Sequence, residues 1–383
     1  MIKDFYQIHL QFQNFMLQKG YVVREREKLI SPIFPTTFTM SGGPDLAYKF
    51  WQGDKNLVGN HIVNQPCIRH WDIETTGDGK HLSFFNMFVA DSINGFSRKE
   101  ILHHFAEFFT QQLHLEISRF YGTYFGGGDV KGTKFNQDGE MKEILLSIGL
   151  SPQNIISTTA NNSMECFVAN TVEPVGGPRS EFFYDLRENQ SKIESPEQFW
   201  NLEKEGKILE FFTHVLYNVE VKTKEQEDKE PTFYFKRMDN VAIAAGFGPQ
   251  RLMRIFENAD DIGDISVFSS LKKCLKPIPQ SLHKESVIVC DHIRGIVFLI
   301  NDGILELHGS KNRSRRYLFR KYFRNFKENF ERLPINNREI AWINLVNETI
   351  SLFSVLFPSF EEKRNYIVEK FTEFYNKFDN DKD

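Results

Sequence analysis

Phe5, Ile8, Phe12, Phe15 and Met16 fall three and four residues apart, the spacing that lines one face of a helix, and Gly20 ends the run. The chain therefore opens on an amphipathic helix. Tyr21 to Ile30 reads as extended, broken by Pro32 and Pro35. Residues 36–60 read as a mixed loop and strand region, with Ser41-Gly42-Gly43-Pro44 as a turn. Ser97 and Glu100 form a capping box, in which each side chain takes an otherwise unpaired backbone N–H. Leu102, Phe105, Phe109 and Leu113 then share a helix face. Phe120 to Phe125 is strand-like and ends in Gly126 to Gly128, and Glu140 to Ile148 is a short helix closed by Gly149. Phe182-Phe183-Tyr184 and Thr232 to Phe235 read as strands, and the charge run Lys222 to Glu230 as a solvated loop. Val241 to Ala245 is a buried small-residue strand that runs through Gly246-Phe247-Gly248 into a helix at Pro249 to Phe256. Pro249 suits the first turn, because its missing N–H has no intrahelical partner there.

The texture changes after Asp260. Val287 to Ile300, Arg315 to Phe326 and Ile340 to Phe357 all have helical periodicity, Pro358 ends the third, and Ile367, Phe371, Phe374 and Phe378 mark a last helix. The expected organisation is an α+β unit over 1–260 followed by an all-α unit over 261–383. The 383 residues and 38 phenylalanines can fill an ample, largely aromatic core. The formal charge of −4 argues against a globally basic nucleic-acid binder, so any such contact is a local patch. Cys67, Cys166, Cys274 and Cys290 form no C-x-x-C pair, and the 11 histidines, among them His9, His103 and His104, suggest no zinc site. No apolar run is long enough to span a bilayer, and Met1 to Lys19 lacks a basic-apolar-small leader pattern, so a cytoplasmic protein is expected.

Four constellations carry candidate chemistry. Gln65-Pro66-Cys67-Ile68-Arg69 is followed by a polar loop and Ser83-Phe84-Phe85-Asn86-Met87. A guanidinium ending one strand and an aromatic starting the next suit a phosphate and a base, although a surface arginine and two core phenylalanines fit as well. Gly246-Phe247-Gly248-Pro249-Gln250-Arg251 allows a ligand close to a helix start, or simply caps the helix. Gly176-Gly177-Pro178-Arg179-Ser180-Glu181 precedes a strand ending at Asp185, where the acids orient a metal or ribose, or are solvated. Asn312-Arg313-Ser314-Arg315-Arg316, continued by Arg320, Lys321 and Arg324, is a basic helix start that suits nucleic-acid phosphates or bulk water alike. The P-loop pattern is absent.

The order of these pieces resembles alanyl-tRNA synthetase. Phe15 to Gly20, Phe38-Thr39-Met40-Ser41-Gly42-Gly43, Gln65 to Arg69 and Phe84 to Met87 are similar to the start of its catalytic domain. Gly177-Pro178-Arg179-Ser180-Glu181-Phe182-Phe183-Tyr184-Asp185 resembles G-P-C-[ST]-E-I-[FY]-Y-D, and Gly246 to Arg251 resembles G-M-G-L-E-R, the third class II motif. Asp291-His292-Ile293-Arg294 with Asp302-Gly303 resembles D-H-I-R…A-D-G, and Asn312 to Leu318 resembles N-x-R-G-Y-V-L-R-R. The resemblance implies a class II aminoacyl-tRNA synthetase antiparallel sheet flanked by helices, then a helical tRNA-recognition domain. It implies that Arg69 and Arg251 are catalytic and hold the α- and γ-phosphates of ATP. Phe85 would stack on adenine, Met87 and Gly248 would complete the nucleotide site, and Glu181 would help hold Mg²⁺ brought by ATP. A small carboxylic or amino acid would occupy a pocket of Thr213, Phe212, Val168, Ala244 and Gly246. Asn312, Arg313, Arg315, Arg316 and Arg320 would meet a tRNA acceptor stem.

The chain departs from the pattern at several points. The family's aspartate two residues before the third motif, which pairs the substrate ammonium, is Ala244 here. Its E-I-W-N stretch is Glu210-Phe211-Phe212-Thr213, the glutamate after Phe-Phe is Asn86, and the second-motif loop, Asp72 to His81, is short. The expectation is a truncated paralogue without the editing domain, acting as an ATP-dependent ligase. It would make an acyl-adenylate and transfer the acyl group to tRNA or another acceptor. The alternative is a catalytically idle paralogue binding tRNA or a protein partner. Oligomeric state stays open.

Overall fold

The computed structural model describes residues 4–51, 53–130, 132–159, 164–167, 175–226, 229–275 and 277–378. Its elements, in chain order, are α1 (Phe5–Gln18), β1 (Val22–Val23), α2 (Pro44–Trp51), β2 (Gly59–Ile68), β3 (Phe84–Ile93), α3 (Arg98–Glu107) and β4 (Phe120–Phe125). Then come β5 (Gly128–Val130), β6 (Thr133–Phe135), α4 (Gly139–Ser147), β7 (Ile155–Thr158), β8 (Met164–Phe167), β9 (Val175–Asp185), α5 (Pro196–Lys204), β10 (Ile208–Gln226) and β11 (Lys229–Phe247). The remainder is helical: α6 (Pro249–Glu257), α7 (Ser269–Cys274), α8 (His283–Asn301), α9 (Arg313–Arg332), α10 (Arg338–Ser354), α11 (Ser359–Glu362) and α12 (Arg364–Lys377).

The main sheet runs β1-β2-β3-β11-β10-β9-β4-β7, with β8 on β9. Its interior pairs are antiparallel, and the parallel pairs β1–β2 and β4–β7 lie at its two ends. Two expectations from the sequence change. Residues 44–51 form a helix rather than loop and strand, burying Leu46, Ala47 and Phe50 against the sheet. The charge run from Lys222 is the end of a long hairpin, with Lys222 paired to Tyr234 and Lys224 to Thr232.

One face of the sheet is covered by α1 and α3. Alternation sends Phe88 and Ala90 of β3 and Ile243, Ala245 and Phe247 of β11 into this layer. The Phe12 ring meets Phe88, Phe105, Phe108 and Phe247 at centroid distances of 5.2–5.9 Å. The Ser97 capping box starts α3 as expected. His214 is wholly buried, and desolvation together with the nearby Arg98 charge holds its imidazole well below the usual range, so it stays neutral.

The helices after residue 260 pack onto the sheet unit through one continuous apolar cluster. Phe84 lies 4.9 Å from Phe298 and 5.9 Å from Phe353. Arg26 forks onto Asp302 at 2.7 and 3.0 Å, and the Leu29 N–H donates to the same carboxylate at 2.7 Å. Arg315 is a correction to the basic patch. It is 6% exposed and donates to the carbonyls of Thr37 at 3.0 Å, Phe34 at 2.7 Å and Ser31. Its charge serves to hold the 31–37 loop and is withheld from any nucleic acid, because i and i+1 on a helix point in different directions.

Candidate functional site

The opposite face of the sheet is covered in part by α2 and is open beside it. On β3, Phe85 and Met87 alternate with buried Phe84, Asn86 and Phe88 and so face outward. Arg69 immediately follows β2, where its N–H donates to the Ser83 carbonyl at 3.0 Å. The guanidinium lies over the Phe85 ring, 4.8 Å from its centroid. Arg251 sits in the first turn of α6, ion-paired to the Glu210 carboxylate and donating to the Glu210 carbonyl at 2.8 Å. Arg69, Phe85, Met87, Glu181, Thr213, Gly246, Gly248 and Arg251 all line one cavity of about 420 Å³. Two guanidinium groups distant in the chain thus converge beside an aromatic ring and two carboxylates.

Glu210 and Thr213 are three residues apart, which would place them on opposite faces of a regular strand. An irregularity in the β9–β10 pairing between Glu210 and Phe212 inserts an extra residue, and both then reach the cavity. The same bulge corrects the placement of Phe212. Its ring packs in the core, 4.6 Å from Phe105 and 5.0 Å from Phe182. Val168 lies outside the described residues.

Ala244 is also displaced from the expected pocket. It is on the cavity side of β11 but lies beneath the Ser41–Gly43 loop. A methyl built on Gly43 would stand 2.4 Å from the Ala244 Cβ. Neither position has room for more, so a carboxylate at 244 would have to displace the loop. Arg24 clamps that loop. Its guanidinium donates to the Gly42 carbonyl at 2.6 Å, to Asp45 at 3.0 Å and to Asp91 at 2.9 Å. Asp91 is the cross-strand partner of Ala244. Two buried carboxylates here face one guanidinium. Burial, opposed by Arg24 and reinforced by Asp45, pushes the Asp91 carboxyl up to about 8.

A free aspartate titrates near pH 4, so between about pH 4 and 8 the folded chain keeps a proton that the unfolded chain has lost. Asp91 therefore makes stability fall as pH rises through that window. Urea unfolding from pH 5 to 9 is expected to show a shallower decline for Asp91→Asn. Equal slopes would mean that Asp91 is ionised throughout.

Several cavity residues carry no local sequence signal. The short loop after β2 closes on itself, with Gly77 and Gly79 at positive φ and Asp78 accepting from the N–H groups of Lys80 and His81. This brings Trp71, Asp72, Lys80 and His81 to the rim. Arg179, where the family pattern has cysteine, lines the cavity with its Nε 3.4 Å from Glu181. Asn86 and Gln250 stand where the pattern has two glutamates; the Asn86 backbone N–H donates to Gln250 Oε1 and Gln250 Nε2 donates to Asn86 Oδ1, each at 3.4 Å, so two neutral side chains pair here. Among the described residues no cluster of three or more His, Cys, Asp or Glu gathers for a metal, and no helix is long and apolar enough to cross a membrane.

At the helical end, Arg313 is exposed, while Arg316 and Arg320 are half-buried. Arg316 donates to the Gly309 carbonyl at 3.0 Å, and Asn312 to that of His308 at 3.0 Å.

The chain is 23% identical to the alanine–tRNA ligase of Treponema pallidum (strain Nichols), over 97% of this chain and 60% of that protein. It is 24% identical to the alanine–tRNA ligase of Thermoanaerobacter sp. (strain X514) and 25% to that of Levilactobacillus brevis, over 94% and 95% of this chain and 39% of each relative. The chain thus spans 39–60% of the length of these relatives. Among solved structures, apo histidyl-tRNA synthetase of S. aureus matches with a TM-score of 0.35 at 14% identity, over 65% of this chain and 64% of that one. The family of class II (A) tRNA synthetases matches residues 7–380, and the chain belongs to it.

Proposed function

We propose that this chain is an ATP-dependent ligase that activates a carboxylic or amino acid as its acyl-adenylate and passes the acyl group to tRNA or another acceptor. The observation that carries the reading is the convergence of Arg69 and Arg251 on one cavity beside Phe85. The substrate carboxylate attacks the α-phosphorus in line and pyrophosphate leaves. Arg69 holds the α-phosphate and offsets charge as the new bond forms, and Arg251 exchanges Glu210 for the γ-phosphate. Such catalysis is mainly positioning and charge stabilisation. Base and guanidinium compete for one face of Phe85, so a bound adenine moves Arg69 toward the phosphates.

The resemblance to class II synthetases implies Mg²⁺ brought by ATP. The carboxylates of Glu181 and Glu210 and the Thr213 hydroxyl are hard oxygen donors facing the cavity, and they suit that ion. When bound it neutralises phosphate charge. At the acid end the covered Ala244 supports a substrate that presents no ammonium at that point, with Thr213, Val215, Tyr217, Gly246 and Arg179 shaping what enters. Arg313, exposed on the first turn of α9, would meet an acceptor stem together with Arg316 and Arg320, in a cytoplasmic setting.

ATP–pyrophosphate exchange across a panel of acids, with Arg69→Ala as control, tests the reading. Exchange with at least one acid is expected. A second reading, an idle paralogue holding tRNA, is favoured by the Arg251–Glu210 pair and the closed loop over Ala244. It requires salt-sensitive tRNA binding, weakened by changing Arg313 and Arg316, without measurable ATP binding.

A further inference from the structure

Ser83 immediately precedes Phe84 and Phe85 and is wholly buried. Its carbonyl accepts the Arg69 N–H at 3.0 Å, so this residue touches both halves of the nucleotide grip. Its N–H and that of Phe84 donate to the two oxygens of Asp291 on α8, at 3.2 and 3.3 Å. The Ser83 hydroxyl also donates to Asp291. That uses its one proton, so Tyr322 of α9, 3.0 Å away, donates to Ser83 Oγ. His292 Nδ1 completes the cluster, 3.0 Å from Asp291, and the His292 and Tyr322 rings lie 4.4 Å apart.

One turn on from Asp291, the Arg294 guanidinium stands 4.9 Å from the Phe84 ring centroid. Ser83, Asp291, His292, Arg294 and Tyr322 are all 0% exposed. Burial holds the Tyr322 phenol well above its usual range, so it remains a donor. Gly295 makes the approach of α9 possible, since a methyl there would stand 2.5 Å from the Tyr322 hydroxyl. A buried carboxylate is tolerated only when its lone pairs are filled, and here the donors that fill it are the backbone and hydroxyl of the segment that starts β3.

Resting on the reading of the cavity as an ATP site, we propose that Asp291, Ser83 and Tyr322 form a positioning node that sets Arg69 and Phe85 for the nucleotide and fixes their placement to α9. The node joins the helix that begins with the basic stretch to the segment that grips ATP. Its residues touch no substrate. They act through the backbone between Arg69 and Phe85.

The test is ATP affinity by calorimetry on the full chain, alongside thermal unfolding. Tyr322→Phe keeps the ring and removes one O–H, and Ser83→Ala removes the hydroxyl and keeps the backbone. Each is expected to weaken ATP binding roughly tenfold, the order of one buried hydrogen bond. Thr349→Ala is the matched control. Thr349 is equally buried in the helical half and donates to the Leu345 carbonyl at 2.8 Å, so its loss lowers stability alone. If wild type binds ATP and both node variants bind it equally well, or weaken it no more than Thr349→Ala, the node is only structural and the inference fails. If wild type binds no ATP, the reading of the cavity fails and takes the inference with it.

Discussion

Arg69→Ala is expected to lower ATP–pyrophosphate exchange by about a hundredfold or more while leaving the fold intact. Removing one pre-placed donor from a site of developing charge costs roughly two to three orders of magnitude in rate. The stability cost is small because the side chain is half-buried and its described contact is with the Phe85 ring, an interaction worth about 0.5–1 kcal/mol near a surface. Its backbone stays anchored, with the N–H on Ser83 and the carbonyl accepting from Asp72 at 3.0 Å. Arg69→Lys should recover only part of the activity, since an ammonium cannot fork onto two phosphate oxygens. Calorimetric ATP binding, exchange rates and melting curves on the three proteins check this together. Exchange by Arg69→Ala within a few-fold of wild type would remove Arg69 from the chemistry.

The largest stability effect should come from far outside the cavity. Arg98, at the start of α3, has a side chain only 2% exposed and forks onto Asp138 at 2.6 and 2.8 Å. Asp138 is also the N-cap of α4, accepting from the Met141 N–H at 3.2 Å. Asp138→Ala therefore leaves a buried guanidinium unpaired and a helix uncapped. Breaking such a pair costs about 3–5 kcal/mol. The exposed Glu140, 3.6 Å from Arg98, is a partial replacement and favours the lower end of that range. Adding Arg98→Met to Asp138→Ala should restore much of the loss, because it removes the stranded charge. Urea denaturation measures both. A loss under about 1 kcal/mol for the single change would show that Glu140 fully takes over.

Much of the fold was legible in the chain, for local reasons. The Phe5–Gln18 helix, the Ser97 capping box and the helices after residue 260 announce themselves by periodicity and caps that need no distant partner. The helix over 44–51 was hidden because two glycines and a proline at its start look like a turn, and its buried face is only Leu46, Ala47 and Phe50. The hairpin through Lys222 was hidden because strand pairing is a long-range choice that a run of charges does not reveal.

In the cavity, Arg69, Phe85 and Arg251 emerged from the order of motifs, since none is persuasive alone. Phe212 was misplaced because one inserted residue reverses the sides of a strand. Ala244 was misplaced because nothing in its neighbourhood shows that Gly43 covers it. Sequence alone groups Arg315 with the basic patch, because charge says nothing of which way a helix is turned.

The shared core has a last consequence. Arg26–Asp302, the Asp291 contacts and the Phe84–Phe298–Phe353 rings bind the sheet and the helices into one cooperative unit. A fragment cut near residue 260 would present that aromatic surface to water and lose the brace behind the strand that carries Phe85. Heating should accordingly melt cavity and helices in a single transition, and recombinant halves should recover solubility only when expressed together.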